Sequence, residues 1–334
     1  MKSRTTILFI LFTAAVAVLF AADIAVGSVS IPIRDVWAAL TGGECDPTTA
    51  RIIRDIRLMK AIVALVAGAA LAVSGLQMQT LFRNPLAGPY VLGVSSGASL
   101  GVALFILGAP MAGLTGHAWL SSLGVAGAAW IGAAATLALV AAISTRIKDI
   151  MVILILGMMI SSGVSAIVQI LQYLSAEEAL KSFVVWTMGS LGDVTATQLA
   201  LLLPAVAAGA ALGIAAIKSL NMLLLGENYA RSMGLDLRRS RSIILLSTTL
   251  LAGTVTAFCG PIGFIGLAMP HVARVIFRNA DHRTLMPAAA LTGAASLLLC
   301  DMVAKLLALP VNSITALLGI PVVIWVVVRN RNIV

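Results

Sequence analysis

Residues 61–82 read AIVALVAGAALAVSGLQMQTLF, a stretch that contains no Asp, Glu, Lys or Arg. A bilayer core about 30 Å thick needs roughly 20 apolar residues in one helix, and a charge at its centre costs at least about 2.5 kcal/mol. This stretch is therefore long and apolar enough to cross a membrane as a single helix.

The same pattern recurs along the chain, which is 60% hydrophobic and 10% charged, against about 25% charged in soluble domains. The other charge-free runs are 5–22, 84–145, 150–176, 194–217, 242–273, 284–300 and 306–328. Two are too long for one helix, and we expect breaks near Gly108 to Gly116 and at Gly260-Pro261. The sequence predicts an all-α polytopic membrane protein of about ten transmembrane helices, with one transmembrane domain over residues 1–334.

The distribution of basic residues indicates the orientation. An even number of helices places both termini on one side, and Lys and Arg in short loops stay cytoplasmic. With the termini inside, fifteen of the 22 Lys and Arg residues are cytoplasmic and seven are external. We expect cytoplasmic termini, with the net charge of +9 reflecting this bias and contact with anionic lipid rather than nucleic acid. The start, MKSR followed by an apolar run, also fits a secretory signal.

The longest internal polar stretch, 218–241, contains the segment LGENYARSMG at 225–234. Gly226 can precede a helix, Glu227 complements the positive end of its dipole, and Gly234 can take the left-handed terminal conformation. The segment, with Ala230 and Arg231 at its centre, predicts a short cytoplasmic helix that either docks on a partner or simply connects two spans. The chain has no G-x-x-x-x-G-K-[ST] loop, so any ATP and Mg would be bound by separate subunits. Its three cysteines show no metal-ligand or paired spacing, and we expect no metal site or cofactor.

Several ordered motifs resemble the FecCD-type permeases of ATP-driven importers. Besides 225–234, they are RLMK at 57–60, GAALAVSG at 68–75, NPLA at 84–87, LGVSSGA at 92–98, GPIGFIGL at 260–267, PHVAR at 270–274 and TALLGIP at 315–321. Such permeases carry iron-siderophores, haem or vitamin B12 across the bacterial inner membrane. The resemblance implies a transport subunit rather than an enzyme, working as a homodimer with two ATPase subunits and a periplasmic binding protein. The particular cargo is not encoded in these motifs.

The resemblance also implies roles for particular residues. Arg57, Lys60 and Lys305 match external basic positions that receive acidic residues of the binding protein. Arg57 and Lys60 are three residues apart and would share a helix face.

By the same resemblance, the helix at 225–234 couples to the ATPase, and Asn84, Pro85 and Leu86 form part of a cytoplasmic gate. A proline is also expected in any tight turn.

Two other functions remain open from the residues alone. An ion-coupled secondary transporter needs intramembrane acids or bases, and Asp301 is the one acid near a span. An intramembrane serine hydrolase could use Ser95, in the G-x-S-x-G segment at 93–97, with His271 as its base.

Overall fold

The computed structural model describes residues 2–27, 29, 31–108, 122–144, 147 and 150–329, and within these ranges its regular secondary structure is helical, without strands. This confirms the all-α prediction. The α-helices are α1 (Lys2–Ala25), α2 (Ile33–Thr41), α3 (Pro47–Arg51), α4 (Met59–Leu81), α5 (Val94–Ala103), α6 (Ser122–Ser144), α7 (Ile150–Leu174), α8 (Glu177–Thr187), α9 (Ala196–Ala215), α10 (Ile217–Leu223), α11 (Glu227–Ser232), α12 (Leu237–Thr248), α13 (Thr254–Cys259), α14 (Ile265–Phe277), α15 (His282–Leu307) and α16 (Val311–Arg329).

Six helical stretches are long and apolar enough to cross a membrane: Arg4–Ala25, Pro47–Leu81, Ile150–Leu174, Ala196–Ala215, Leu237–Cys259 and His282–Leu307. Four shorter apolar helices, Val94–Gly108, Gly124–Val140, Ile265–Phe277 and Val311–Val326, fall in the remaining predicted spans. A span count of ten and the side on which the termini lie stay predictions.

Helical structure begins earlier than the sequence indicated. The charge-free run of this span begins at Ala61, but α3 starts at Pro47 and runs through a π-helical segment, Ile52–Leu58, into α4. The Asp46 side chain accepts a hydrogen bond of 2.9 Å from the Thr49 amide, and proline suits the first helical position. This capping pair was the missed signal.

The predicted break at Gly260-Pro261 is confirmed. Helix α13 ends at Cys259, Gly260 has a φ of 71°, and α14 begins only at Ile265. Glycine tolerates this left-handed backbone because it has no Cβ. The other predicted break begins at Gly108, where a π-helical segment ends, and residues 109–121 lie outside the described part of the chain.

The chain divides into two compact units, and the expectation of a single transmembrane domain stays a prediction. The first unit comprises Met1–Val73, Ser190–Leu203 and Gly263–Val334. Within it, Phe9 and Phe12 of α1 contact Phe277 of α14, with ring centroids 4.8 and 5.7 Å apart. Gly68 of α4 meets Gly293 of α15 backbone to backbone, and a Cβ on either would overlap the other's carbonyl oxygen. Such small faces permit the close helix packing that stabilises proteins in lipid.

The second unit comprises Ser74–Gly189 and Pro204–Ile262. Its α5 and α6 approach closely where Gly97 and Gly101 face Ala128 and Gly132. A second contact is polar, and we call its members, Gln77, Gly209, Ser247 and Thr248, the amide network. Gln77 Nε2 donates to Ser247 Oγ at 3.0 Å, Thr248 Oγ1 donates to Gln77 Oε1 at 3.1 Å, and Ser247 Oγ donates to the Gly209 carbonyl at 2.7 Å.

Candidate functional site

Helix α11 has the boundaries that its sequence predicted. Gly226 precedes it with a φ of 101°, Gly234 follows it with a φ of 83°, and both values favour glycine. Ala230 is fully buried, and its carbonyl accepts a 3.0 Å hydrogen bond from the Leu235 amide. The helix is therefore short, defined at both ends and packed against its own unit through its centre.

Helix α11 and the residues at its two ends expose apolar side chains. Leu225, Tyr229 and Met233 follow one another at four-residue spacing and are 63%, 51% and 50% exposed. Tyr229 lies within α11, Leu225 precedes the helix beyond the positive φ of Gly226, and Met233 follows its last residue. The helix and its two flanking residues therefore expose three apolar side chains that a partner protein can contact.

An ion pair fixes α11 to the next helix. Arg241 Nη2 of α12 lies 2.5 Å from Oε1 of Glu227, and both side chains are at least three-quarters buried. A charge-assisted bond of this kind restrains the angle between the two helices. A force applied to α11 would therefore reach α12.

The predicted gate residues form a tight turn after α4. The side-chain oxygen of Asn84 accepts a 2.9 Å hydrogen bond from the Leu86 amide, and its carbonyl accepts one of 3.1 Å from Ala87. Pro85 and Leu86 are exposed. Just before the turn, the Arg83 guanidinium approaches Gly226, where an added Cβ would lie 3.5 Å from its Nη1. The turn and the start of α11 are thus neighbours.

Arg57 is turned into the protein. Its side chain is 5% exposed and donates hydrogen bonds to the carbonyls of Ile24 at 3.1 Å, Ala25 at 2.8 Å and Val29. Two of these acceptors, Ile24 and Ala25, lie in the last turn of α1, where carbonyls lack helical partners, and Val29 lies in the segment that follows. Arg57 also lies in the π-helical segment, so the α-helical spacing assumed for Arg57 and Lys60 does not apply there.

The other two predicted docking residues meet in an ion cluster within the first unit. We call Asp23, Lys60, Asp301 and Lys305 the charge cluster. Lys60 Nζ lies 3.1 Å from Asp301 Oδ1, and Lys305 Nζ lies 2.7 Å from Asp301 Oδ2 and 2.9 Å from Asp23 Oδ1. The cluster joins α1, α4 and α15.

Burial makes the charge cluster energetically consequential. Asp23 and Asp301 are fully buried, whereas 22% of the Lys60 side chain reaches the surface. Two cations balance two anions, so removing any one side chain leaves an uncompensated buried charge, which typically costs about 3–5 kcal/mol. Sequence reasoning missed Asp23, which directly follows an apolar run. The i,i+4 spacing of Asp301 and Lys305 was a visible signal for that one pair.

Ser95 and His271, the pair considered for a hydrolase, lie in different helices, α5 and α14. Ser95 is half-buried near the start of α5, and His271 is buried in α14 with Nδ1 3.4 Å from Nη1 of Arg274. The described residues contain no cluster of three or more His, Cys, Asp or Glu side chains placed to hold a metal ion.

The chain has extensive relatives. The FecCD transport family matches residues 14–329. The hemin transport system permease protein HmuU of Yersinia pestis is 37% identical over 314 residues, covering 91% of this chain and 90% of the relative. The vitamin B12 import system permease protein BtuC of Shigella boydii is 36% identical over 300 residues, covering 88% and 89%. The molybdate import system permease protein MolB of Haemophilus influenzae is 34% identical over 303 residues, covering 88% and 86%.

A solved structure supports the same assignment. It shows the inward-facing conformation of a transporter proposed to be of the metal-chelate ABC type, superimposes with a TM-score of 0.82 at 31% identity, and covers 95% of this chain and 96% of that one. These relatives are transport subunits, so the hydrolase hypothesis for Ser95 and His271 is wrong. The chain belongs to the FecCD transport family and is a permease subunit of an ABC importer.

Proposed function

We propose that the chain forms the membrane path through which a bulky metal chelate, such as a ferric siderophore, haem or cobalamin, passes from the periplasm to the cytoplasm of a bacterium. Two copies form the path in the inner membrane, two ATPase subunits bind ATP and Mg, and a periplasmic binding protein delivers the cargo. Each copy crosses the membrane ten times with both termini inside. The relatives named for hemin and vitamin B12 support this cargo class.

The observation that carries the proposal is helix α11, which we name the coupling helix. Its exposed Tyr229, together with Leu225 and Met233 at its two ends, suits the groove of an ATPase subunit, while buried Ala230 and the Glu227–Arg241 pair hold it rigidly to its own unit. An ATPase that moves this helix therefore moves α12 with it.

The coupling helix also lies next to the proposed gate. Arg83, which contacts the Gly226 region, directly precedes Asn84, Pro85 and Leu86. A displacement of α11 thus has a short physical route to the turn that would close the cytoplasmic end. This proximity supports the gate assignment of the three residues.

For the periplasmic side of the proposed topology, we retain Arg57, Lys60 and Lys305 as the docking region for the binding protein, with different roles for each. Lys60 is the partly exposed cation that an acidic side chain can approach from outside. Arg57 holds the end of α1 through its hydrogen bond to the Ala25 carbonyl, and Lys305 holds the charge cluster together through Asp23. Association that depends on Lys60 would slow as salt rises, because surface charges steer encounter.

For the homodimer, we assign the contact between the two copies to the uncovered surface of α7. Within this helix only Ile153, Leu154, Gly157 and Val168 are buried, whereas Met158 and Met159 are exposed. A second copy could cover this apolar face.

The test is reconstitution of the permease with its ATPase and binding protein. We expect Glu227→Arg to abolish ATPase co-purification and uptake, because it places a cation opposite Arg241 and releases the coupling helix. Glu178→Arg makes the same charge change on an exposed residue of α8 and should preserve both. Normal assembly and uptake with Glu227→Arg would refute the coupling role.

Parallel uptake assays with haem, cobalamin and a ferric siderophore identify the cargo.

A further inference from the structure

A cavity of about 510 Å³ lies in the second unit between the end of α4 and the start of α12. Small-molecule sites typically measure about 300–1,000 Å³. Most of its wall is apolar, and the apolar lining includes Leu81, Phe82, Leu137, Ile153, Leu245 and Leu246. The proposed transport cycle leaves this space without a role.

The polar part of the wall is strongly basic. Arg231, Arg238 and Arg241 line the cavity together with Ser242, and the described wall contains no Asp or Glu. Arg241 pairs with Glu227, whereas Arg231 and Arg238 are exposed and have no ion pair among the described residues. Two positive charges at one side of an apolar space are therefore left for an external anion.

We infer that the cavity binds one anionic phospholipid, with an acyl chain along the apolar wall and the phosphate held by Arg231 and Arg238. A small free anion would leave the apolar wall uncovered, and a zwitterionic lipid would leave the arginine charges unbalanced. Guanidinium groups form bidentate hydrogen bonds with phosphate, and basic pockets between membrane helices attract anionic headgroups. That the arginines face the cytoplasmic leaflet rests on the proposed topology.

The position of the cavity allows a bound lipid to affect two segments used in the proposed transport cycle. Phe82 lies two residues before Asn84 of the proposed gate, and Arg231 lies on the coupling helix. A chain that fills the space would brace these two segments against each other. Anionic lipid would therefore set how firmly the end of α4 follows the coupling helix.

The experiment uses purified full-length permease in detergent and native mass spectrometry with dioleoylphosphatidylglycerol or dioleoylphosphatidylcholine. We expect one tightly retained phosphatidylglycerol per chain and weaker retention of phosphatidylcholine. Arg238→Gln should weaken phosphatidylglycerol binding about fivefold, the equivalent of roughly one basic contact near a lipid surface. Arg239→Gln is the matched control, since Arg239 is exposed beside it but does not line the cavity. Leu246→Trp, which narrows the apolar part, should also reduce binding.

Several results would overturn the inference. One is equal retention of the two lipids, and another is equal binding by the Arg238 and Arg239 variants. Displacement of the lipid by millimolar glycerol phosphate would show a site for a soluble anion instead. Loss of ATPase co-purification in Arg238→Gln with unchanged lipid binding would assign these arginines to the partner protein. Because the lipid measurement requires no transport, failed uptake with intact lipid binding would count only against the proposed function.

Discussion

The two ends of helix α4 are joined to other helices by different kinds of polar contact. Near its start, Lys60 enters the charge cluster with Asp301, whereas near its end, Gln77 bonds to Ser247 and Thr248 in the amide network. Both sets tie α4 to helices that are distant in sequence. Only the first set does so with full charges.

This difference has energetic consequences. A buried charge has few acceptable partners, so the charge cluster resists any rearrangement that separates its members. Neutral amides and hydroxyls in membranes contribute less and can exchange partners. We therefore expect the segment around Lys60 to stay fixed during transport and the segment around Gln77, closer to the proposed gate, to be the one that can rearrange.

Removing a charge should have the largest effect. Asp301→Ala leaves Lys60 and Lys305 with one buried carboxylate, Asp23, so we expect the free energy of unfolding to fall by about 3–5 kcal/mol. Denaturant titration of the solubilised protein measures this. Asp55→Ala, at an exposed acid of the π-helical segment, is the control and should change it little. If Asp301→Ala lowered the free energy of unfolding by less than about 1 kcal/mol, the charges of the cluster would not be effectively shielded from solvent.

Crowding the glycine contact near the middle of α4 should have an intermediate effect. Gly68→Ala places a methyl group against the Gly293 carbonyl, and overpacking of this kind typically destabilises by about 1–3 kcal/mol. Gly127→Ala in α6 points into open space and should be neutral or slightly stabilising. The same titration applies, and equal responses of the two variants would argue against a tight α4–α15 contact.

Breaking the amide network should have the smallest effect. Gln77→Leu removes the hydrogen bonds to Ser247 and Thr248, and such bonds in membrane proteins contribute about 0.6–2 kcal/mol. Combining it with Thr248→Val tests their coupling, since partners in one network lose stability less than additively. If Gln77→Leu proved as destabilising as Asp301→Ala, the contrast between the two ends of α4 would be wrong.

Features that are encoded by residues close together in the sequence were predictable, whereas contacts between distant residues were not. The coupling helix was predictable because Gly226, Glu227 and Gly234 encode its ends within ten residues, and the break at Gly260-Pro261 was predictable for the same reason.

The charge cluster was not predictable, because Asp23 and Asp301 meet only after the chain has folded. For Lys60 and Lys305, the family resemblance suggested outward docking without revealing their buried partners. Arg57 was placed on an α-helical face although a π-helical segment surrounds it, and no side-chain spacing in the sequence indicated that segment.

The most direct test of the central claim, that this chain supplies a conduit while a separate ATPase supplies the energy, is uptake into sealed proteoliposomes. Vesicles carrying the permease with its ATPase and binding protein should accumulate chelate only when Mg-ATP is present on the ATPase side, and vesicles without the ATPase should accumulate none. Accumulation by the permease alone, driven by a proton or sodium gradient, would contradict the account.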